Sequence, residues 1–271
     1  MNRPDCKSAA SSASATARTK ASKRLGMLLT PDTGLDAEIW EWCPEGVIPY
    51  LTRLQIPDTA ADHLPSIDSV IGSAEVVQSA TRSLVGTKSL PGVDPDIVLL
   101  NCTSASFVGG LAGERLIRRS ILSAGAPRAL TTSGAVVGAL TVLNASRVAV
   151  GTPYDEETNV WLKQFLAEAG FELNSIAATP VENLDHTSDD QIRAVAAAAY
   201  DKKASAMFIS CAALRTRHLV SELSAQYGMP VITSLQATMW AALAHIGERV
   251  IASDHVLNSL PWPKRTSLLA P

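Results

Sequence analysis

Residues 97–110 read IVLLNCTSASFVGG, and a matching stretch, AMFISCAALRTRHLV, occupies residues 206–220. Each stretch begins with an apolar run typical of a strand that is covered on both faces. Each then passes through one polar residue to a cysteine, and continues with small residues that predict a helix. The two stretches therefore predict an internally duplicated chain in which Cys102 and Cys211 follow equivalent strands.

Further apolar runs alternate with helical stretches along the chain, among them LGMLLT, VIPYLTRL, RVAVGT and MPVITS. This rhythm predicts an α/β fold of two pseudo-symmetric flavodoxin-like lobes with parallel sheets, and a site in the cleft where the strands end. Helices are predicted around 107–123, 156–169, 188–203, 213–227 and 235–247. The predicted units are a disordered extension over 1–24, a first lobe over 25–125 plus about 230–271, and a second lobe over 126–229.

Composition excludes several classes of function. The net charge of -3 comes with scattered lysines and arginines, so no nucleic-acid partner is expected. No apolar run reaches the roughly 18 residues that a membrane span needs. The four cysteines are widely separated, which favours a cytoplasmic protein without disulfides. The five histidines lack metal-binding spacings, so no catalytic metal is expected.

The two cysteine contexts predict chemistry as well as fold. Backbone N–H groups and a helix dipole at the end of each strand are expected to lower the thiol pKa and to hold a substrate carboxylate. Two opposed thiols suit an isomerase or racemase, in which one group attacks or deprotonates and the other returns a proton. The alternative is that both cysteines are inert core residues. The proposed carboxylate donors are Thr103, Ser104, Ala212 and Ala213, and Tyr154, after the strand RVAVGT, is either a hydrogen-bond donor or a packing residue.

The chain resembles the aspartate/glutamate racemase superfamily, in the branch of maleate cis-trans isomerase and arylmalonate decarboxylase. The resemblance rests on LGMLLTPDTGLDAE, NCTSASFVGG, VGTPYDEETN, FISCAALRT and PVITSLQATMWAALAHIG, in the family's order. It implies a small carboxylic acid as substrate, no cofactor and a homo-oligomer. In the isomerase, the cysteine that matches Cys102 is thought to attack the double bond, and the one that matches Cys211 handles the proton.

Departures from the family pattern bear on the substrate. The decarboxylase has glycine where this chain has Cys102, which favours an isomerase or racemase. Gly34 stands where the isomerase has an asparagine, whereas Asn183 matches the second asparagine of the isomerase. The leading prediction is a maleate cis-trans isomerase-like enzyme. The alternatives are an amino-acid or hydantoin racemase and, less favoured, an arylmalonate-type decarboxylase or a non-catalytic carboxylate-binding module.

Overall fold

The computed structural model describes residues 22–56, 66–181, 184–250 and 255–262. The first half of the chain builds a four-stranded parallel sheet with the order β2-β1-β3-β4. Its strands are β1 (Lys23–Leu29), β2 (Val47–Arg53), β3 (Ile97–Leu100) and β4 (Ala129–Thr131). Its helices are α1 (Asp36–Trp42), α2 (Ile67–Ile71), α3 (Ala74–Val85), α4 (Thr103–Phe107), α5 (Gly110–Ser123) and α6 (Thr132–Val142).

The second half repeats this plan with the strand order β6-β5-β7-β8, again fully parallel. Its strands are β5 (Arg147–Thr152), β6 (Glu172–Ala178), β7 (Ala206–Ile209) and β8 (Val231–Thr233). Its helices are α7 (Glu156–Glu168), α8 (Asp189–Ala199), α9 (Val220–Tyr227) and α10 (Ser234–His245). Each sheet therefore places the second strand of its half at an edge and the third strand inside, which confirms the predicted α/β duplication.

Equivalent third strands carry the two cysteines. β3 and β7 are each four residues long and buried throughout, and each is followed by one buried polar residue and then the cysteine. Parallel strands that are buried on both faces read as continuous apolar runs, which is why IVLL and AMFI stand out in the sequence. Cys102 and Cys211 thus lie at the carboxyl ends of their strands, as predicted.

Helices α6 and α10 join the two halves. Each follows the last strand of its sheet, and each is buried along nearly its whole length. A helix that is apolar on all sides belongs in the interior of a protein, and these two pack against each other. A hydrogen bond of 3.2 Å from Thr238 Oγ1 to Thr132 Oγ1 connects them.

The strand pairing assigns two short strands to other units than the predicted boundaries do. β4 pairs with β3, so residues 129–131 belong to the first sheet and not to the second unit. β8 pairs with β7, so residues 231–233 complete the second sheet. Both strands have only three residues, too few for their apolar runs to indicate their partner. The division of the chain into two lobes is retained as a proposal, with a switch between the sheets after Thr131.

The last two residues of the predicted amino-terminal extension, 1–24, belong to β1 in the structure. Residues 1–21 lie outside the described residues, whereas Lys23 and Arg24 already pair with β2. Among the described residues, no helix is long and apolar enough to cross a membrane.

Two predicted helices also begin elsewhere. The helix predicted at 107–123 is split into α4 and α5, because Gly110 has a positive φ of 63° that a continuous helix does not allow. The helix predicted at 213–227 begins only at Val220, and the chain after Cys211 forms turns instead.

Candidate active site

A cavity of about 470 Å³ lies at the carboxyl ends of the central strands, and both Cys102 and Cys211 line it. Ligands of open parallel sheets bind at this end of the strands. The other described residues that line it are Thr30, Pro31, Asp32, Thr33, Ile56, Ile67, Asp68, Ile71, Asn101, Thr103, Ser104, Tyr154, Leu184, Ala212 and Ala213. The structure thus brings the two predicted catalytic thiols together in one site.

Cys102 is the N-cap residue of α4 and contacts an acidic group through a serine. Its Sγ lies 3.7 Å from Ser104 Oγ, and Ser104 Oγ donates a hydrogen bond of 2.5 Å to Asp68 Oδ1. Asp68 lies on the short helix α2, whose start is capped by Ser66. The backbone N–H of Ala105 also points at the thiol of Cys102.

Cys211 has a strained backbone and a different set of partners. Its φ is 99°, a conformation that residues with a Cβ rarely adopt. Its thiol hydrogen-bonds with the phenol of Tyr154 and with the backbone N–H of Ala213. Ser210 Oγ in turn donates to the Tyr154 hydroxyl at 3.3 Å. Strain of this kind persists where the surrounding structure fixes it, and such positions cluster at functional sites.

The expected lowering of the thiol pKa is wrong for this structure. Burial raises the pKa of Cys102 to about 12, and the charge of Asp68 adds to the effect. Burial likewise raises the pKa of Cys211 to about 11, against the hydrogen bonds from Ala213 and Tyr154. Removal from water disfavours the charged thiolate, and α4, with five residues, offers too little dipole to compensate. Cys211 lacks a helix directly after it altogether.

The remaining predicted site residues have mixed outcomes. Thr103, Ser104, Tyr154, Ala212 and Ala213 all line the cavity, whereas Gly34 does not.

The carbonyl of Gly34, in the same loop as Asp32 and Thr33, accepts a hydrogen bond of 3.2 Å from Arg215. Asn183 lies outside the described residues. The Thr103 hydroxyl is already used, because it donates to Ser234 Oγ at 3.0 Å.

Two polar groups of the site were not predicted from the sequence. Asp68 comes from α2, and no motif marks it. Asn101 is 1% exposed, and neither its side-chain nitrogen nor its oxygen has a hydrogen-bond partner among the described residues. A buried amide without a partner costs free energy, so a ligand that bonded to it would gain affinity. The only hint in the sequence is a polar residue at the end of an apolar run.

The wall of the cavity combines apolar and acidic groups. Five side chains form its apolar part: Pro31, Ile56, Ile67, Ile71 and Leu184. The acidic part consists of Asp32 and Asp68, and burial raises the pKa of Asp68 while its hydrogen bond from Ser104 lowers it. Among the described residues that line the cavity there is no lysine or arginine. The described part of the chain also contains no cluster of His, Cys, Asp and Glu that could hold a metal ion.

Two enzymes of named activity are similar to this chain in sequence. The arylmalonate decarboxylase of Bordetella bronchiseptica is 26% identical over 233 residues, which cover 82% of this chain and 90% of that protein. The maleate isomerase of Nocardia farcinica is 28% identical over 160 residues, which cover 55% of this chain and 63% of that protein.

Solved structures show the same architecture. A variant of the Nocardia farcinica maleate cis-trans isomerase, with one cysteine changed to serine, was solved with a covalently bound succinylcysteine intermediate. It superposes with a TM-score of 0.71 at 18% identity, over 88% of this chain and 98% of that one. The family model for arylmalonate decarboxylase matches residues 68–256. The chain therefore belongs to the arylmalonate decarboxylase family, in the maleate isomerase and arylmalonate decarboxylase branch of the aspartate/glutamate racemase superfamily.

Proposed function

We propose that this protein is a cofactor-independent isomerase or racemase that uses two thiols on a small carboxylic acid. One observation carries the proposal: Cys102 and Cys211 line the same cavity from equivalent strands of the two sheets. Acid–base or nucleophilic catalysis at a carbon next to a carboxylate needs a group on each face of that carbon. Catalysis by a decarboxylase of this family is the weaker candidate, because it leaves the second thiol without a role.

A maleate-type isomerisation balances with these two groups alone. One thiolate adds to an alkene carbon and forms a C–S bond, while the S–H of the other thiol gives its proton to the neighbouring carbon. The former double bond is then a single bond and rotates. The second thiolate takes the proton back, the C–S bond breaks, and the trans alkene and both starting thiol states are restored. The succinylcysteine seen in the Nocardia isomerase is an adduct of this kind.

Racemisation is the second candidate, and the charges in the cavity favour it. A dicarboxylate such as maleate would bring two negative charges beside Asp32 and Asp68, with no cation among the described lining residues to pair with them. A carboxylate bearing an ammonium or amide N–H could place that donor near Asp68. An amino acid has this arrangement, whereas a hydantoin offers ring N–H donors without a carboxylate charge, and the apolar substituent of either could contact Ile56, Ile67 and Ile71.

Turnover measurements test the proposal. We expect the purified protein to convert one member of a panel of maleate, aspartate, glutamate, apolar amino acids, hydantoins and substituted malonates. Cys102→Ser and Cys211→Ser should each reduce turnover by about a hundred- to ten-thousandfold, which is the typical contribution of a positioned acid or base. Cys43→Ser is the matched control, because Cys43 is buried away from the cavity. Full activity in either cavity variant would refute the two-thiol mechanism.

The product separates the two candidates. Racemisation in deuterium oxide introduces deuterium at the α carbon, whereas maleate isomerisation through a thioether gives a protein adduct of succinyl mass. Binding of a panel member without any turnover would favour a non-catalytic binding module. We also propose a cytoplasmic location, from the cysteine usage of the sequence, and a homo-oligomeric assembly, by analogy with the family.

A further inference from the structure

We propose that Glu38, on α1 of the first half, is a positioning residue for segment 212–217, which follows Cys211 in the second half. Its carboxylate holds the end of this segment, so that the Cys211 thiol and the backbone N–H of Ala213 keep their places in the cavity. Glu38 is not among the described residues that line the cavity, so it acts through the segment and not on a substrate. The inference rests on the proposed two-thiol function and names a residue on which that function depends.

Glu38 is a buried carboxylate whose partners come from the other half of the chain. It is 7% exposed, and its Oε1 accepts hydrogen bonds from the backbone N–H of Thr216 at 3.2 Å and of Arg217 at 2.9 Å. These donors lie 178 and 179 positions further along the sequence. Burial raises the pKa of Glu38, while the two hydrogen bonds lower it. Because buried charges often contribute nothing to stability, the contacts of Glu38 point to a role in holding the segment in place.

Segment 212–217 lacks the helix that orders its counterpart in the first half. After Cys102, α4 begins at once, whereas after Cys211 the chain forms turns until α9 begins at Val220. The hydrogen bond from the N–H of Leu214 to the carbonyl of Cys211 is 3.5 Å long. The φ of 99° at Cys211 is strained, and such a conformation persists only where the surrounding structure fixes it. The segment therefore depends on contacts from other parts of the chain.

Two further contacts hold the same end of the segment. The guanidinium of Arg215 donates to the carbonyl of Gly34 at 3.2 Å, in the loop before α1. The hydroxyl of Thr216 donates to Thr233 Oγ1 at 2.8 Å, at the end of β8. Both of these contacts use side chains of the segment, whereas Glu38 bonds to two consecutive N–H groups of its backbone. Glu38 therefore fixes the path of the main chain directly.

The path of this segment matters because the segment carries groups of the site. The backbone N–H of Ala213 hydrogen-bonds with the Cys211 thiol, and Ala212 and Ala213 both line the cavity. A displacement of about 1 Å at a reacting group can lower a rate about a hundredfold. A change at Glu38 is therefore expected to lower kcat although its side chain does not reach the substrate.

Two conservative variants separate the position of the Glu38 acceptor from its charge. Glu38→Gln keeps a carbonyl oxygen at the same reach, so it still accepts from Thr216 and Arg217 and should retain most of the kcat. Glu38→Asp keeps the charge but is one methylene shorter, so its acceptor withdraws and kcat should fall by about tenfold or more. The opposite order of activities would show that the charge acts on the site, and it would overturn the positioning role.

Amide hydrogen exchange checks the same contact without a substrate. In Glu38→Asp, peptides that span 212–217 should exchange about tenfold faster or more, the scale expected when hydrogen bonds to a charged acceptor are lost. Peptides that span 98–108, around Cys102, should exchange as before. Faster exchange over 212–217 with an unchanged kcat would overturn the positioning role. If the protein turns over no substrate at all, the proposed function fails, and the exchange data still decide whether Glu38 holds the segment.

Glu41→Gln is the matched control for both measurements. Glu41 lies on the same helix, 60% exposed, and its carboxylate is 4.0 Å from the guanidinium of Arg217. The change removes a charge that faces the same segment without removing an acceptor of backbone N–H groups. We expect neither kcat nor the exchange over 212–217 to change. An effect as large as that of Glu38→Asp would show that any change on α1 loosens the segment, and it would refute a specific role for Glu38.

Discussion

The hydroxyl of Thr103 donates a hydrogen bond of 3.0 Å to Ser234 Oγ, across 131 positions of sequence. Thr103 follows Cys102 at the end of β3, and Ser234 begins α10 after β8 of the other sheet. The bond therefore links the carboxyl ends of the two sheets directly beside a candidate catalytic thiol. It uses the proton of the Thr103 hydroxyl, so this side chain can offer a substrate only its oxygen, as an acceptor.

Thr103→Val tests this link. Valine has nearly the same shape but no hydroxyl, so Ser234 loses its donor and the free energy of unfolding should fall by about 1 kcal/mol. We expect turnover to fall as well, because Cys102 is then held less firmly. Thr103→Ser keeps the hydroxyl and should retain most of the stability and activity. Urea unfolding and initial rates check this, and equal stability of both variants would show that the bond contributes nothing.

The buried thiols predict a loss of stability in alkali. In the unfolded chain a thiol loses its proton near its ordinary pKa of 9.0, whereas in the folded chain the pKa of Cys43 and Cys102 is about 12 and that of Cys211 about 11. Above about pH 9 the unfolded state therefore binds fewer protons, and the free energy of unfolding falls as pH rises. Each thiol contributes roughly 1.4 kcal/mol per pH unit within this window.

Urea unfolding in the presence of a reductant at pH 8, 9, 10 and 10.5 measures that slope. Cys43→Ala is the control, because it removes one of the three titrating thiols and leaves the cavity intact. Lost packing lowers the stability of this variant at every pH, so the comparison concerns the slope alone, which should decrease by roughly a third. An unchanged slope would contradict the raised pKa of Cys43.

The sequence predicts the strands and the thiols well because both depend on local pattern. β3 and β7 are buried on two faces, so their apolar runs are continuous, and the cysteines follow them directly. β6 was missed because its sequence, ELNSIAA, is half-exposed at the edge of a sheet and lacks such a run. Edge strands show weaker patterns because only part of their surface is buried.

The acidic and unpaired groups of the site could not be predicted in the same way. Asp68 reaches Ser104 across 36 positions of sequence, and only the packing of α2 against α4 brings them together. The side-chain amide of Asn101 has no hydrogen-bond partner among the described residues, and no sequence pattern predicts this. The hydrogen-bond partners of the two thiols therefore follow from the structure and not from the matching contexts of the two cysteines.

Asn101→Leu should raise the stability of the protein and lower its affinity for substrate. Leucine has a similar volume and removes a buried amide that has no partner in the described part of the chain, so we expect the free energy of unfolding to rise by about 1 kcal/mol or more. Substrate affinity should fall, because the wall of the cavity loses its free donor and acceptor. The readouts are the melting temperature and KM for the substrate found in the panel. A destabilised variant with unchanged KM would show that Asn101 has no ligand role.

Asn258→Leu is the matched control for that experiment. The side-chain amide of Asn258 also lacks a partner among the described residues, but Asn258 does not line the cavity with the two thiols. The same gain in stability is expected there, with no change in kinetics. A loss of activity in this variant would show that leucine at a buried amide position perturbs the fold as a whole.

Cys211→Gly should show how much the backbone strain at Cys211 lowers stability, independently of the loss of the thiol. A residue with a Cβ at a φ of 99° costs about 1–3 kcal/mol, and glycine adopts this conformation without that cost. Cys211→Ala loses the same thiol and keeps the strain, so it is the matched control. We expect both variants to be inactive and the glycine variant to melt several degrees above the alanine variant.

At an unstrained position the glycine variant would instead be the less stable of the two, because glycine loses more backbone entropy on folding. Thermal unfolding of the two proteins therefore decides whether the fold holds Cys211 in place at a cost in stability.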